Sequence, residues 1–433
     1  MKLAALAVVA GCQGTTGTVD VTLATSPGST ILDSVQTLRL TLTNPQQVQT
    51  AQRVGGGFAL DVQLPATGEA GALIVDGLDA SGTVIATGAS PPFPFGAVTA
   101  SVVVFMAAPN SIGPDIVTLD PPRTQLSATA ISYGAVYIGG TLRDGTPSAA
   151  TAIYNAFGHA FQDGVMLPVA KTGAAIAVGS SGQYVYVFGG ADVSGAATET
   201  VQRFDTSVAP SGAINDFGAF DGFARTGQAA LSIGNEHILV TGSPVADLAG
   251  AAGTVSARSD VTSLPPSAAA VTASDGVGTA IFAGASGVTR FRNNTFDPLD
   301  VPSAACDGAI VVALAAGKVG VLCATTGLIQ IDAASGTAQP FAIPSEMRTG
   351  CAVASTKRYL VVAGGTNVAG VATTAEIYDT TSLTLVATQT LAVPRTGAVA
   401  TALPNGQVLI AGGSDATGAP IGTLELFTPD SSQ

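Results

Sequence analysis

Pro394-Arg395-Thr396-Gly397, an apolar run, Asn405-Gly406, Gln407-Val408-Leu409-Ile410-Ala411-Gly412-Gly413, a loop, and Leu424-Glu425-Leu426-Phe427 stand in this order near the C-terminus. Short apolar bursts separated by Gly, Asn and Asp read as strands joined by turns. The preceding stretch repeats the layout with Arg348-Thr349-Gly350, then Tyr359-Leu360-Val361-Val362-Ala363-Gly364-Gly365, then Ala375-Glu376-Ile377-Tyr378-Asp379. Lys171-Thr172-Gly173 leads in the same way to Phe188-Gly189-Gly190 and Phe204-Asp205, and Arg123-Thr124 to Ile138-Gly139-Gly140 and Ile153-Tyr154. Arg225-Thr226-Gly227 leads to Ile238-Leu239-Val240-Thr241-Gly242.

Two weaker units begin at Ser267 and Ser303, so starts fall at 123, 171, 225, 267, 303, 348 and 395, spaced 36 to 54 residues apart. A period of about 50 residues with Gly-Gly closing the second strand resembles the kelch repeat. That resemblance implies a propeller of four-stranded blades over residues 115–433, seven of them, with six if the short unit from 267 merges with a neighbour. In such a blade the strand after Arg-Thr-Gly lines the channel, and Gly-Gly marks backbone too crowded for a Cβ. The family's Trp is missing because the chain has none, so Leu383 and Leu385 are expected in its role. The last unit stops after its third strand. Residues 115–120, which stand just before Arg123, are expected to supply the fourth and close the ring without an open edge.

Composition agrees with an all-β chain. Of 433 residues 47% are apolar and 10% charged, and 53 Gly and 24 Pro supply turn chemistry. A net charge of −13 makes most of the surface unfavourable for a phosphate backbone, so nucleic acid is excluded as a partner.

Residues 13–109 alternate apolar and polar at strand spacing (19–24, 35–43, 58–64, 72–76, 84–87, 98–106). They predict an antiparallel β-sandwich of immunoglobulin-like or transthyretin-like type, serving as a spacer or a second binding module. Residues 110–114 read as a linker. Ahead of them, Met1-Lys2, an apolar segment and Val9-Ala10-Gly11-Cys12 form a signal-peptide layout resembling a bacterial lipobox. The resemblance implies cleavage after residue 11, lipidation of Cys12, export and membrane contact only through the acyl anchor, at the outer membrane since Gln13 is not Asp.

Export permits a disulfide, and Cys306, Cys323 and Cys351 allow one bridge. Cys323 is expected to pair with one of the other two. No Cys/His spacing suggests a metal, and neither His159 nor His237 stands in a catalytic pattern, so no enzyme activity, metal or cofactor is expected. The recurrent charged feature is the basic residue opening five units: Arg123, Lys171, Arg225, Arg348 and Arg395. Gathered at one channel mouth they would form an anion-recruiting ring; paired with repeat acids such as Glu376 and Glu425 they would be structural. The sequence thus predicts a monomeric envelope lipoprotein that binds protein or glycan through the propeller face. A propeller enzyme acting on a sugar or peptide, or a purely structural component, is the alternative.

Overall fold

A computed structural model describes residues 16–55, 57–58, 63–65, 69–94 and 100–431. Cys12 and the leader lie outside the described residues. Helix among them is confined to two short 3-10 segments, Ile31–Ser34 and Pro302–Ala304.

From Ser111 onward the described residues form seven four-stranded antiparallel sheets. Six are simple meanders, beginning with Ser127–Ile131, Gly134–Ile138, Thr151–Asn155 and Ala160–Asp163. Their second strands are continuous apolar runs, buried at every position in Gly134–Ile138, Tyr359–Ala363 and Val408–Ala411, because both faces are covered by neighbouring sheets. Fourth strands such as Leu385–Thr390 are largely exposed. Between sixth and seventh sheets the rings of Tyr359 and Phe427 meet edge to face at 5.5 Å, a contact worth about 0.5–1.5 kcal/mol beyond its area. The first strand of each sheet lies beside that of the next, and Val399–Ala402 lies beside Ser127–Ile131, so the series returns on itself.

The seventh sheet is completed by the segment that precedes the first sheet. Its order places Ser111–Thr118 outside Thr423–Thr428, Val408–Ala411 and Val399–Ala402. Pairing starts at Ser111 opposite Thr428 and continues to Pro114 opposite Glu425, with a register shift before Thr118 meets Thr423. The expected linker 110–114 is therefore mostly strand, and the closing strand starts earlier than 115. An outer strand tolerates Pro114 because no further strand needs its missing N–H.

The third sheet also departs from the sequence expectation. The repeat layout marks no strand after Gly242 in this unit, yet Ala246–Ala249 is its third strand and Thr254–Ala257 its fourth. Of the two leucines expected to replace Trp, Leu383 is buried and Leu385 half exposed.

Before Ser111, a three-stranded sheet holds Thr16–Ala24 between Ala100–Phe105 and Gln63–Pro65. A five-stranded sheet has the order Gly57–Phe58, Gln46–Val54, Thr37–Thr43, Leu73–Leu78, Val84–Ala89. Val19, Val21, Leu38, Leu40, Val75, Val102 and Val104 form one core between them. Thr16–Ala24 and Ala100–Phe105 pair in parallel, correcting the all-antiparallel expectation. Gln46–Val54 escaped the sequence reading because it is glutamine-rich and mostly exposed; it forms by pairing along Thr37–Thr43.

Candidate functional site

The five basic residues do not form an exposed ring. Arg123, Lys171 and Arg395 are fully buried, and Arg225 and Arg348 nearly so. Each guanidinium turns back into its own sheet. Arg123 donates through Nη1 to the carbonyls of Gly139 (2.8 Å) and Ala150 (2.7 Å). Arg348 does the same to Gly364 (3.3 Å) and Thr374 (3.1 Å), and Arg395 to Gly412 (3.4 Å) and Thr423 (2.8 Å). Arg225 reaches Thr241 (2.8 Å) and Pro244 (3.0 Å), and Lys171 reaches Thr200 Oγ1 (2.7 Å) and Gln202 Oε1 (2.8 Å). The two arginine carbonyl partners sit at the end of the second strand and the start of the third. In the first and sixth sheets the third-strand carbonyl already accepts a backbone N–H, from Gly139 to Ala150 and from Gly364 to Thr374 (3.0 Å each), so the arginine adds a second, charged donor there and binds the second-strand carbonyl as well.

The backbone of the same residues links neighbouring sheets. The second glycine of Gly-Gly donates its N–H to the carbonyl of the next basic residue: Gly140 to Lys171 (3.0 Å), Gly190 to Arg225 (2.8 Å), Gly365 to Arg395 (2.8 Å). The first glycine has positive φ, and a Cβ on Gly139 or Gly364 would stand 2.3 and 2.2 Å from the carbonyl oxygens of Lys171 and Arg395. Only glycine fits. The anion-ring expectation is thereby corrected: these residues are buried clasps inside and between sheets and do not gather as an exposed basic ring.

Acid partners complete two clasps. Arg348 Nη2 donates to Glu376, which also accepts from Ser345 N (2.9 Å), Ser345 Oγ (3.0 Å) and Tyr378 Oη. Arg395 Nη2 stands 3.6 Å from Glu425 Oε1, which accepts Val393 N (2.9 Å). Burial pushes the Glu425 carboxyl above and the Arg395 guanidinium below their ordinary values. Burial also lowers Lys171 to about 8.

Between neighbouring basic positions, hydroxyls and backbone amides meet at the rim. Thr172 Oγ1 bonds with Gln125 Oε1 (2.9 Å) and Thr141 Oγ1 (3.2 Å), Thr366 Oγ1 donates to Thr396 Oγ1 (3.1 Å), and Gly397 N donates to Gly350 O (2.8 Å). Above this rim four consecutive sheets raise small hairpins between second and third strands. They are marked by the bridges Thr141 to Pro147, Ala191 to Ala197 and Ser414 to Pro420, and by the pair Thr366–Asn367 with Gly370–Val371. Asp144, Asp192 and Asp415 fix three tips by accepting from the residue two further on, both N–H and hydroxyl, which holds their carboxyls below the usual range. Val193 and Val368 project at the tips. The fourth and fifth sheets have short connections instead, Ala285-Ser286 and residues 324–326, and the third an intermediate one, residues 241–245.

A second polar constellation lies at the seam with the N-terminal sheets. Phe157 O accepts Val103 N at 2.7 Å, and the rings of Phe105 and His159 lie 5.6 Å apart. Tyr154 Oη donates to Asp115 Oδ2 (2.6 Å) and lies 2.7 Å from His159 Nδ1. One hydroxyl proton serves one of these bonds, so Nδ1–H of neutral His159 donates to Tyr154. Burial raises Asp115 to about 6, against the lowering effect of the Tyr154 bond, and lowers His159 to about 4. His237, by contrast, is partly exposed with Nδ1 2.7 Å from Asp247 Oδ1. Beside the seam a cavity of about 310 Å³ is lined by Thr43, Ile74, Gly88, Leu403, Asn405 and Thr428.

Among the other predicted residues, Cys306 and Cys323 form the disulfide, and Cys351 is a buried free thiol whose pKa burial pushes up. Among the described residues no cluster of three His, Cys, Asp or Glu suited to a metal occurs, and no helix is long and apolar enough to cross a membrane.

The chain is an all-β protein of many four-stranded antiparallel sheets, an arrangement compatible with a propeller. No protein-family profile matches it, and no curated protein does. A solved structure titled "Structure of YjhT" is similar with a TM-score of 0.46 and 14% identity, over 71% of this chain and 96% of that one.

Proposed function

We propose that the chain is a kelch-type, seven-bladed propeller preceded by a β-sandwich, exported as an envelope lipoprotein, that binds a protein or glycan without catalysis. The observation that carries this is the asymmetry of one face. Hairpins of the sixth, seventh, first and second sheets stand beside the shorter connections of the third to fifth. A wall next to an open half, floored by threonine hydroxyls and backbone amides, suits an uncharged polar surface more than an anion. Val193 and Val368 at the wall's crest supply apolar contact. The Cys306 to Cys323 disulfide supports an oxidising compartment.

A photo-crosslinking residue placed at Val193 or Val368 in intact cells is expected to capture a partner, while the same residue at Leu385 on the outer rim captures none. Equal capture at all three, or none at the crest together with no binding on a glycan array, overturns the reading. Alkyne fatty-acid labelling tests the anchor separately: label lost on Cys12→Ser supports it, and an unlabelled wild type ends it.

A further inference from the structure

The first sheet breaks a rule that the others keep. At the register position of Glu376, the third strands of the second to seventh sheets carry Gln202, Asp247, Arg290, Gln330, Glu376 and Glu425, all polar. The first sheet carries Ala152 there. The donor that accompanies the acid has gone too: Val393, whose N–H binds Glu425, stands two residues before Arg395, and Pro121, which has no N–H, stands two before Arg123.

Arg123 itself is retained and fully buried. Its Nη1 is spent on two carbonyls, while Nε and Nη2 have no hydrogen-bond partner among the described residues. These two nitrogens share one edge of the guanidinium, the fork that takes a carboxylate or a single anion side-on. Burial alone lowers this group, to about 10, with no acid beside it to oppose the shift. A guanidinium at that value is still charged at neutral pH, and a buried charge left unpaired is strongly destabilising.

We infer that the Nε and Nη2 edge of Arg123 binds a small monovalent anion, a halide or a small carboxylate, which takes the place of the acid that Glu376 and Glu425 supply in the sixth and seventh sheets. The site is structural and lies away from the hairpin crest.

Thermal unfolding of the full chain at constant ionic strength tests it, with chloride or formate exchanged for bulky gluconate. The midpoint is expected to rise saturably by roughly 2–4 °C with the binding anion. A response to chloride alone identifies a halide site, and one to formate alone a carboxylate site. Ala152→Glu, which supplies the acid covalently, is expected to remove the anion dependence, as is Arg123→Met. Should either variant fold poorly, crystals of the wild type grown in bromide give an independent readout, an anomalous peak on the Nε and Nη2 edge. Midpoints indifferent to all three anions, together with no bromide peak at Arg123, overturn the inference.

Discussion

The hairpin-bearing half of the ring and the tight-turn half solve the same backbone problem differently. In the fourth and fifth sheets pairing continues into the turn, Gly284 opposite Gly287 and Cys323 opposite Gly327, so the carbonyls at the strand ends have ladder partners. In the first, sixth and seventh sheets the inserted hairpin separates the strand ends, and a buried arginine bonds both carbonyls. The third sheet, with an intermediate connection, uses Arg225 in the same way. The second sheet has a hairpin too, but its Lys171 bonds Thr200 Oγ1 and Gln202 Oε1, so a buried basic residue accompanies the hairpins without one fixed set of partners. The difference teaches that its recurrence reports loop insertion and sheet docking, not ligand charge.

The sharpest way to break this comparison is Arg395→Met. It leaves the buried Glu425 carboxylate and two carbonyls unpaired and is expected to cost about 3–5 kcal/mol in urea unfolding. Arg395→Met with Glu425→Leu should recover much of that loss. On the other half, Arg290 bonds the partly exposed Asp297 and donates to Ala334 O (2.7 Å), and Arg290→Met should cost less than Arg395→Met, about 1–2 kcal/mol. Equal losses from Arg395→Met and Arg290→Met would end the distinction.

The tight-turn half has its own fastener. The Cys306 to Cys323 bridge joins residues 17 apart, tying the segment that leads into the fifth sheet to the end of that sheet's second strand. Cys323→Ser is expected to lower stability by about 2–4 kcal/mol, and reductant should reproduce the loss in wild type but not in the variant. Cys351, buried and unbridged, should react with a maleimide only on unfolding.

Much of this architecture was legible in the chain. Gly412-Gly413 and its equivalents marked second strands because a close interstrand carbonyl admits no side chain, and the unfinished last unit pointed to a closing strand. The acids that pair with Arg348 and Arg395, Glu376 and Glu425, were legible as the structural reading, but the carbonyls that turn every arginine inward were not. The repeat places Arg123 and Arg395 at strand starts, but whether the side chain faces solvent depends on carbonyls sixteen or more residues away. Gln46–Val54 was lost because its register comes from its partner, not from an apolar pattern of its own. The Asp115, Tyr154 and His159 cluster joins residues up to 44 positions apart with no motif to signal it.

That cluster offers a finer test of how the seventh and first sheets are held to the N-terminal sheets. Asp115 has a raised folded pKa of about 6, so its contribution is present below the unfolded value and is lost as pH rises through 6. His159 has a lowered folded pKa of about 4, so its contribution is present above 6.5 and is lost as pH falls toward 4. Each shift of about two units corresponds to roughly 3 kcal/mol, and the two have opposite slopes over the same window. Wild-type stability should therefore vary little from pH 7 to 4.5 on their account. Asp115→Asn leaves the histidine slope uncovered and should weaken the protein relative to wild type on acidification. His159→Gln should do the reverse, strengthening it as pH falls from 7 to 5. Urea midpoints at pH 7, 5.5 and 4.5 decide, and parallel profiles for the three proteins would show that the groups are not coupled to folding.

The smallest expected effect on stability falls at the crest of the hairpins. Val368 is fully exposed and Val193 nearly so, and neither belongs to a buried apolar cluster, so Val193→Ser with Val368→Ser should change the unfolding free energy by less than about 0.5 kcal/mol. Exposed apolar side chains on rigid tips lose little entropy when a partner covers them, so the same double variant should reduce partner capture from the hairpin face. The comparison predicts this separation of effects. The arginine beneath a hairpin governs whether the tip is held, and the tip residue governs only what it meets. A double variant that unfolds more easily by 2 kcal/mol or more would show that the tips pack against something in the fold, and the two halves of the ring would then differ in stability rather than in recognition.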